Sequence, residues 1–134
     1  MPPESGRWRR FTDVFADVVE RAGYGQIITP LLEDLGVFTR IGDATDVVTK
    51  EMYDFVDKDG TRIALRPEMT AGAVRAFVQH KPLLPWKIWY SGTNFRHERP
   101  QKGRYRSFDQ VGVEVLGVDD PDLHPRQRPA RRGA

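Results

Sequence analysis

Cysteine is absent from the 134 residues. That excludes disulfides and thiolate metal sites, and it accords with a reducing cytosol. No run approaches the roughly 18 apolar residues that a membrane span needs, and the N-terminus has neither the basic head nor the apolar stretch of a signal peptide. These absences predict a cytoplasmic location and no membrane partner. A surplus of one charge is missing too. Of 21 basic and 19 acidic residues, four arginines and Asp122 fall within residues 121–134, which leaves 17 and 18 in the remainder. The body is therefore nearly neutral, and the pI near 9.1 comes from the tail. General polyanion binding loses its basis, so any phosphate chemistry must come from local arrangement. The chain has no Gly-x-x-x-x-Gly-Lys loop, no dinucleotide fingerprint and no catalytic serine motif. His80, His97 and His124 lack a second ligand at metal spacing, so no metal site is predicted.

What is present reads as one soluble globular domain, with 39% hydrophobic and 30% charged residues. From Glu4 to about Ala22, the residues Trp8, Phe11, Phe15, Val18 and Ala22 form one apolar helical stripe, ended by Gly23 or Gly25. Gln26 to Thr29 is a short strand stopped by Pro30, and Leu31 to Ile41 reads as a second helix. Met52–Asp57 and Thr61–Leu65 read as strands of a hairpin through Lys58-Asp59-Gly60. Pro67 opens a helix lasting to about His80. Trp86–Gly92, Asn94–Arg99 and a long run from Arg104 to Leu116 read as strands. This order predicts an α+β fold, an antiparallel sheet flanked by helices. Residues 121–134 read as a disordered basic tail.

The richest stretch runs from Phe95 to Glu114. Alternation along a strand puts Arg104, Arg106, Phe108, Gln110, Gly112 and Glu114 on one face. Cations, a ring, an amide, a residue without a side chain and a carboxylate make a poor core face, because each unpaired buried polar group costs about 1–3 kcal/mol. Such a face suits a solvated sheet surface. It equally suits a floor for a nucleotide, with arginines on phosphates, Phe108 under a base, Glu114 on an N–H group and a gap at Gly112 that admits a small ligand. Arg96 adds a guanidinium. Leu65-Arg-Pro-Glu-Met-Thr70 puts Glu68 and Thr70 at a helix start, as a cap or as ligands. Gly23 to Glu33 feeds a helix into a strand ended by proline, which alone fits ordinary packing.

Four segments in register resemble histidyl-tRNA synthetases. Gly23–Glu33 looks like motif 1 of that family, Ala44–Tyr53 like the segment after it, Leu65–Thr70 like its histidine-binding element, and Phe95–Glu114 like motif 2. The resemblance covers about residues 2–121 and implies an incomplete class II aminoacyl-tRNA synthetase catalytic domain, with residues 1–120 as its N-terminal part. It implies ATP-dependent activation of histidine and transfer to the tRNA(His) acceptor end, with Mg2+ bridging phosphates in a cytoplasmic homodimer. Arg96 would act catalytically on the α-phosphate, Arg104 would reach the γ-phosphate, and Phe108 would stack on adenine. Glu68, Thr70 and Gln110 would hold the α-ammonium group of histidine, and Glu114 its imidazole. Gln101, Lys102 and Arg104 would approach the tRNA, and Pro30 would lie at the dimer interface.

Met69 and Asp109 depart from the common family residues and are expected to lie off the substrate face. The later family elements are not found after Asp122, and His124–Ala134 resembles no part of the family. The tail therefore reads as out-of-frame translation, and the 134-residue chain is expected to be unstable and inactive alone. Two other functions fit the resemblance. One is a synthetase-like regulatory subunit of histidine biosynthesis, disfavoured by the basic Arg99–Arg106 run. The other is a non-catalytic fragment that dimerises with a full-length enzyme.

Overall fold

The structure, a computed structural model, describes residues 1–40, 50–98 and 105–117. Helix α1 (Glu4–Arg21) opens the chain. Gly23 ends it at φ 89°, with N–H groups of Gly23 and Tyr24 donating back to the Glu20 and Val19 carbonyls. This paired closure needs a left-handed residue, which glycine adopts without steric cost. Strand β1 (Gly25–Gln26) then runs parallel to β5 (Trp86–Phe95), with Gly25 opposite Ile88.

The expected helix over Leu31–Ile41 is corrected. Leu32–Asp34 is strand β2, and of the described residues in that span only Leu35–Arg40 is helical, as α2. The Asp34 carboxylate accepts from the Gly36 N–H at 2.7 Å, which starts the helix there. The expected hairpin is seen as β3 (Asp54–Val56) and β4 (Arg62–Leu65), joined through Gly60 at φ 87°. Strands β2, β4 and β3 make an antiparallel sheet. Helix α3 (Thr70–His80) follows, and Phe38, Ala64 and Ala71 form a small buried cluster beside it.

Strand β5 (Trp86–Phe95) is continuous, where two strands had been expected. It pairs antiparallel with β6 (Ser107–Leu116), from Trp86 opposite Leu116 to Phe95 opposite Ser107. The fold is thus α+β, with two three-stranded sheets among the described residues, one of which contains a parallel pair. Strand β6 starts later than expected, since Arg106 precedes it and Arg104 lies outside the described residues. The tail at 121–134 and most of the Ala44–Tyr53 segment lie outside them as well.

The predicted stripe on α1 is mostly uncovered. The helix has no buried residue, and its main aromatic contact with the sheet is Phe15 edge-on to Trp89 at 6.0 Å. Trp89 belongs to the back face of β5, with Thr93 and Asp109, so the opposite face of the β5–β6 pair is left for the site.

Candidate active site

Register defines the site face. On β5 it carries Tyr90, Gly92 and Asn94, which lie opposite Gly112, Gln110 and Phe108 on β6. Ile88, opposite Glu114, extends the same face. The predicted set Phe108, Gln110, Gly112 and Glu114 therefore does share one side. Arg104, Gln101 and Lys102 lie outside the described residues.

The gap expected at Gly112 is filled. A Cβ there would come within 2.7 Å of the Tyr90 ring and hydroxyl. The phenol instead crosses the glycine and donates to Glu114 Oε1 at 3.1 Å. Thr70 Oγ1 donates to the same oxygen at 2.9 Å. Thr70 and Glu114 are thus joined across 44 residues of sequence. Burial, helped by the Glu114 carboxylate, pushes the Tyr90 hydroxyl up to about 12, so it stays a neutral donor.

Glu68 stands at the start of α3. Its carboxylate accepts from the Ala71 N–H at 3.1 and 3.2 Å and so caps α3. Burial first, and the Glu114 charge after it, raise its affinity for a proton, while hydrogen bonds from Ala71 and Thr70 and the Arg96 charge oppose this. Glu68 thus lies within reach of the Glu114 and Arg96 charges and the Thr70 N–H.

Arg96 is anchored from behind. Its Nε donates to the Pro67 carbonyl at 3.0 Å, and the guanidinium lies over the Phe108 ring at 5.0 Å. Pro67 is among the most completely buried side chains, so its carbonyl is a firm anchor. Next to it, buried Arg66 donates to the Thr93 carbonyl at 2.8 Å and the Thr29 carbonyl at 2.9 Å. Gly92 makes room for that arginine, since a Cβ there would meet its Nη2 at 2.5 Å. The same Cβ would meet the Met69 methyl at 3.3 Å. This corrects the expectation for Met69, which is buried on the site face. Asp109 does sit on the back face, bonded to Thr93.

Sequence reading missed Tyr90, Asn94 and Arg66. Tyr90 and Asn94 looked like ordinary strand residues, and Arg66 carried no pattern apart from its place in the Leu65–Thr70 element. Pro30 is exposed, beside the exposed apolar residues Ile28, Leu31 and Leu32. Among the described residues no cluster of three metal-ligating side chains occurs.

A family profile described as Histidyl-tRNA synthetase matches residues 1–124. The chain belongs to the histidyl-tRNA synthetase family. It is 51% identical to the Histidine--tRNA ligase of Saccharopolyspora erythraea over 126 residues, which are 91% of this chain and 30% of that protein. The chain thus spans about 30% of the length of such relatives. The solved apo histidyl-tRNA synthetase of S. aureus matches it at a TM-score of 0.75 and 34% identity, covering 92% of this chain and 28% of that one. A Bacillus halodurans C structure described as an ATP phosphoribosyltransferase regulatory subunit/histidyl-tRNA synthetase matches at a TM-score of 0.79 and 22% identity, covering 94% of this chain and 32% of that one. At that identity the second likeness bears on the fold alone.

Proposed function

We propose that this chain provides the histidine- and ATP-binding floor for activation of histidine to histidyl-adenylate and its transfer to tRNA(His). The observation that carries this reading is the convergence of Glu68, Thr70 and Glu114 beside an Arg96 that is already held over Phe108. Glu68 and the Thr70 hydroxyl receive the α-ammonium group, with Gln110 also on the amino acid. Glu114 has one oxygen occupied by Thr70 and Tyr90, and its other oxygen accepts the imidazole N–H.

The ATP end fits the same floor. Only the Nε–H of the Arg96 guanidinium is hydrogen-bonded among the described residues, which leaves four terminal donors for the α-phosphate. There they stabilise charge as the histidine carboxylate attacks phosphorus and pyrophosphate departs. Phe108 offers its second ring face to the adenine. Arg104 takes the γ-phosphate, while Gln101, Lys102 and Arg104 approach the tRNA acceptor end. Bound Mg2+ would supply charge neutralisation at the ATP phosphates beside Arg96. Pro30 and its exposed apolar neighbours pair with a second copy in a cytoplasmic homodimer.

The 134-residue polypeptide by itself binds histidine weakly and does not turn over. Calorimetry tests the binding: histidine should bind, and Glu114→Ala should weaken it at least about tenfold, the scale of one charged hydrogen bond. Absence of binding, or binding indifferent to Glu114→Ala, contradicts the reading. Histidine-dependent ATP–pyrophosphate exchange by the polypeptide alone would contradict its lack of turnover. A regulatory subunit that senses histidine without charging tRNA would bind histidine and ignore ATP in the same experiment.

A further inference from the structure

Among the described residues, Arg66 carries a buried charge that no carboxylate pairs with. It is 6% exposed, and its side-chain hydrogen bonds there go to neutral oxygens. Nε donates to the Thr93 carbonyl, and Nη1 to the Thr29 carbonyl at 2.9 Å and the Thr29 hydroxyl at 3.3 Å. Burial alone lowers its affinity for a proton, and no acidic group pulls the other way. A guanidinium stays protonated regardless. A buried cation left without a counter-charge costs stability. Neutral donors would serve the same three oxygens, so the bonds do not account for the charge.

The place of the charge points to its use. Gly92 lies mid-floor, opposite Gln110 and between Tyr90 and Asn94, whose Nδ2 donates to Gln110 Oε1 at 2.7 Å. A Cβ at Gly92 would meet Arg66 Nη2 at 2.5 Å and Cζ at 3.4 Å. The guanidinium thus fills the space of a Gly92 side chain, on the site face itself. Buried there, it acts through protein rather than water, and its field is weakly screened. We propose that Arg66 is a fixed counter-charge under the floor, favouring an oxyanion seated on the β5–β6 face while staying covered itself. This rests on the histidine and ATP reading above, which brings two such groups, the attacking carboxylate and the phosphate it attacks. Arg96 differs in kind, because its free N–H groups bind directly, whereas Arg66 works through space and positions by charge alone.

Calorimetric titrations of the 134-residue chain test this with two ligand pairs. Histidinol is histidine without the carboxylate, and adenosine is ATP without the phosphates. Arg66→Met removes the charge and keeps the bulk. It should weaken histidine or ATP about tenfold and leave the counterpart that lacks the anion in place. Tenfold is roughly what one unit charge does at about 10 Å in a dielectric near 20. Loss in the first pair assigns the charge to the carboxylate, and loss in the second to the phosphate. Thr29→Asp sets a carboxylate where the hydroxyl now meets Arg66, so it silences the charge with the arginine in place. It should reproduce the selective loss, whereas the neutral Thr29→Asn should not, and this comparison decides the matter should Arg66→Met fail to fold. Equal losses within both pairs, or Thr29→Asp indistinguishable from Thr29→Asn, overturn the inference and leave the histidine and ATP reading standing. A wild-type chain that binds none of the four ligands overturns both.

Discussion

Two glycines in the floor each make room for a long neighbour. Gly92 admits Arg66, and Gly112 admits Tyr90. The Gly112 contact is with a ring inside a packed sheet, which cannot swing away as a flexible chain end would. Gly112→Ala should therefore destabilise the chain by about 1–3 kcal/mol, the usual range for overpacking, as read by urea denaturation. A variant as stable as wild type would mean that the ring does not lie across that glycine. Strand alternation made Phe108, Gln110 and Glu114 legible as one face, because period two follows from the pleat itself. What fills a gap was not legible. The filling group comes from the paired strand, and the register of that pairing is a tertiary fact. Tyr90 and Asn94 were hidden for this reason, although both are side chains that hold a site residue.

At the scale of elements, local propensity gave the longer helices and the β3–β4 hairpin, and it failed where pairing intervened. Residues 32–34 carry helix-compatible side chains, yet β4 recruits them, with Leu32 opposite Leu65. The expected strands part between Gly92 and Asn94, but β5 passes through with its pairing intact, and the missing side chain of Gly92 makes room for Arg66. Helix α3 carries a pH signature. The Glu68 that caps it is pushed by burial toward the protonated form. A group raised in this way favours folding most in acid, below the ordinary glutamate value of about 4.3, and that contribution is lost as pH rises through its folded value. Glu68→Gln keeps an oxygen for the Ala71 N–H but cannot ionise. Thermal melts should show it more stable than wild type at pH 7, with a flatter dependence on pH from there down to about 4.3. A wild-type-like pH profile would show that Glu68 is not held in a desolvated place.

Among the described residues the interior is modest. One small buried cluster sits by α3, α1 buries no residue, and β6 is an edge of its sheet among the described residues. A ten-residue edge strand with Val113 exposed is an opening for association. The site itself is better determined than its surroundings, because its members are tied to one another across the two sheets by Arg66, Pro67 and Thr70. We propose that these ties create a histidine pocket on one sheet face. A crystal structure of the 134-residue chain grown with histidine would reveal it. The imidazole should lie within hydrogen-bond distance of Glu114 and the ammonium group between Glu68 and Thr70. Histidine bound away from the β5–β6 face, or with its ring turned from Glu114, would contradict it.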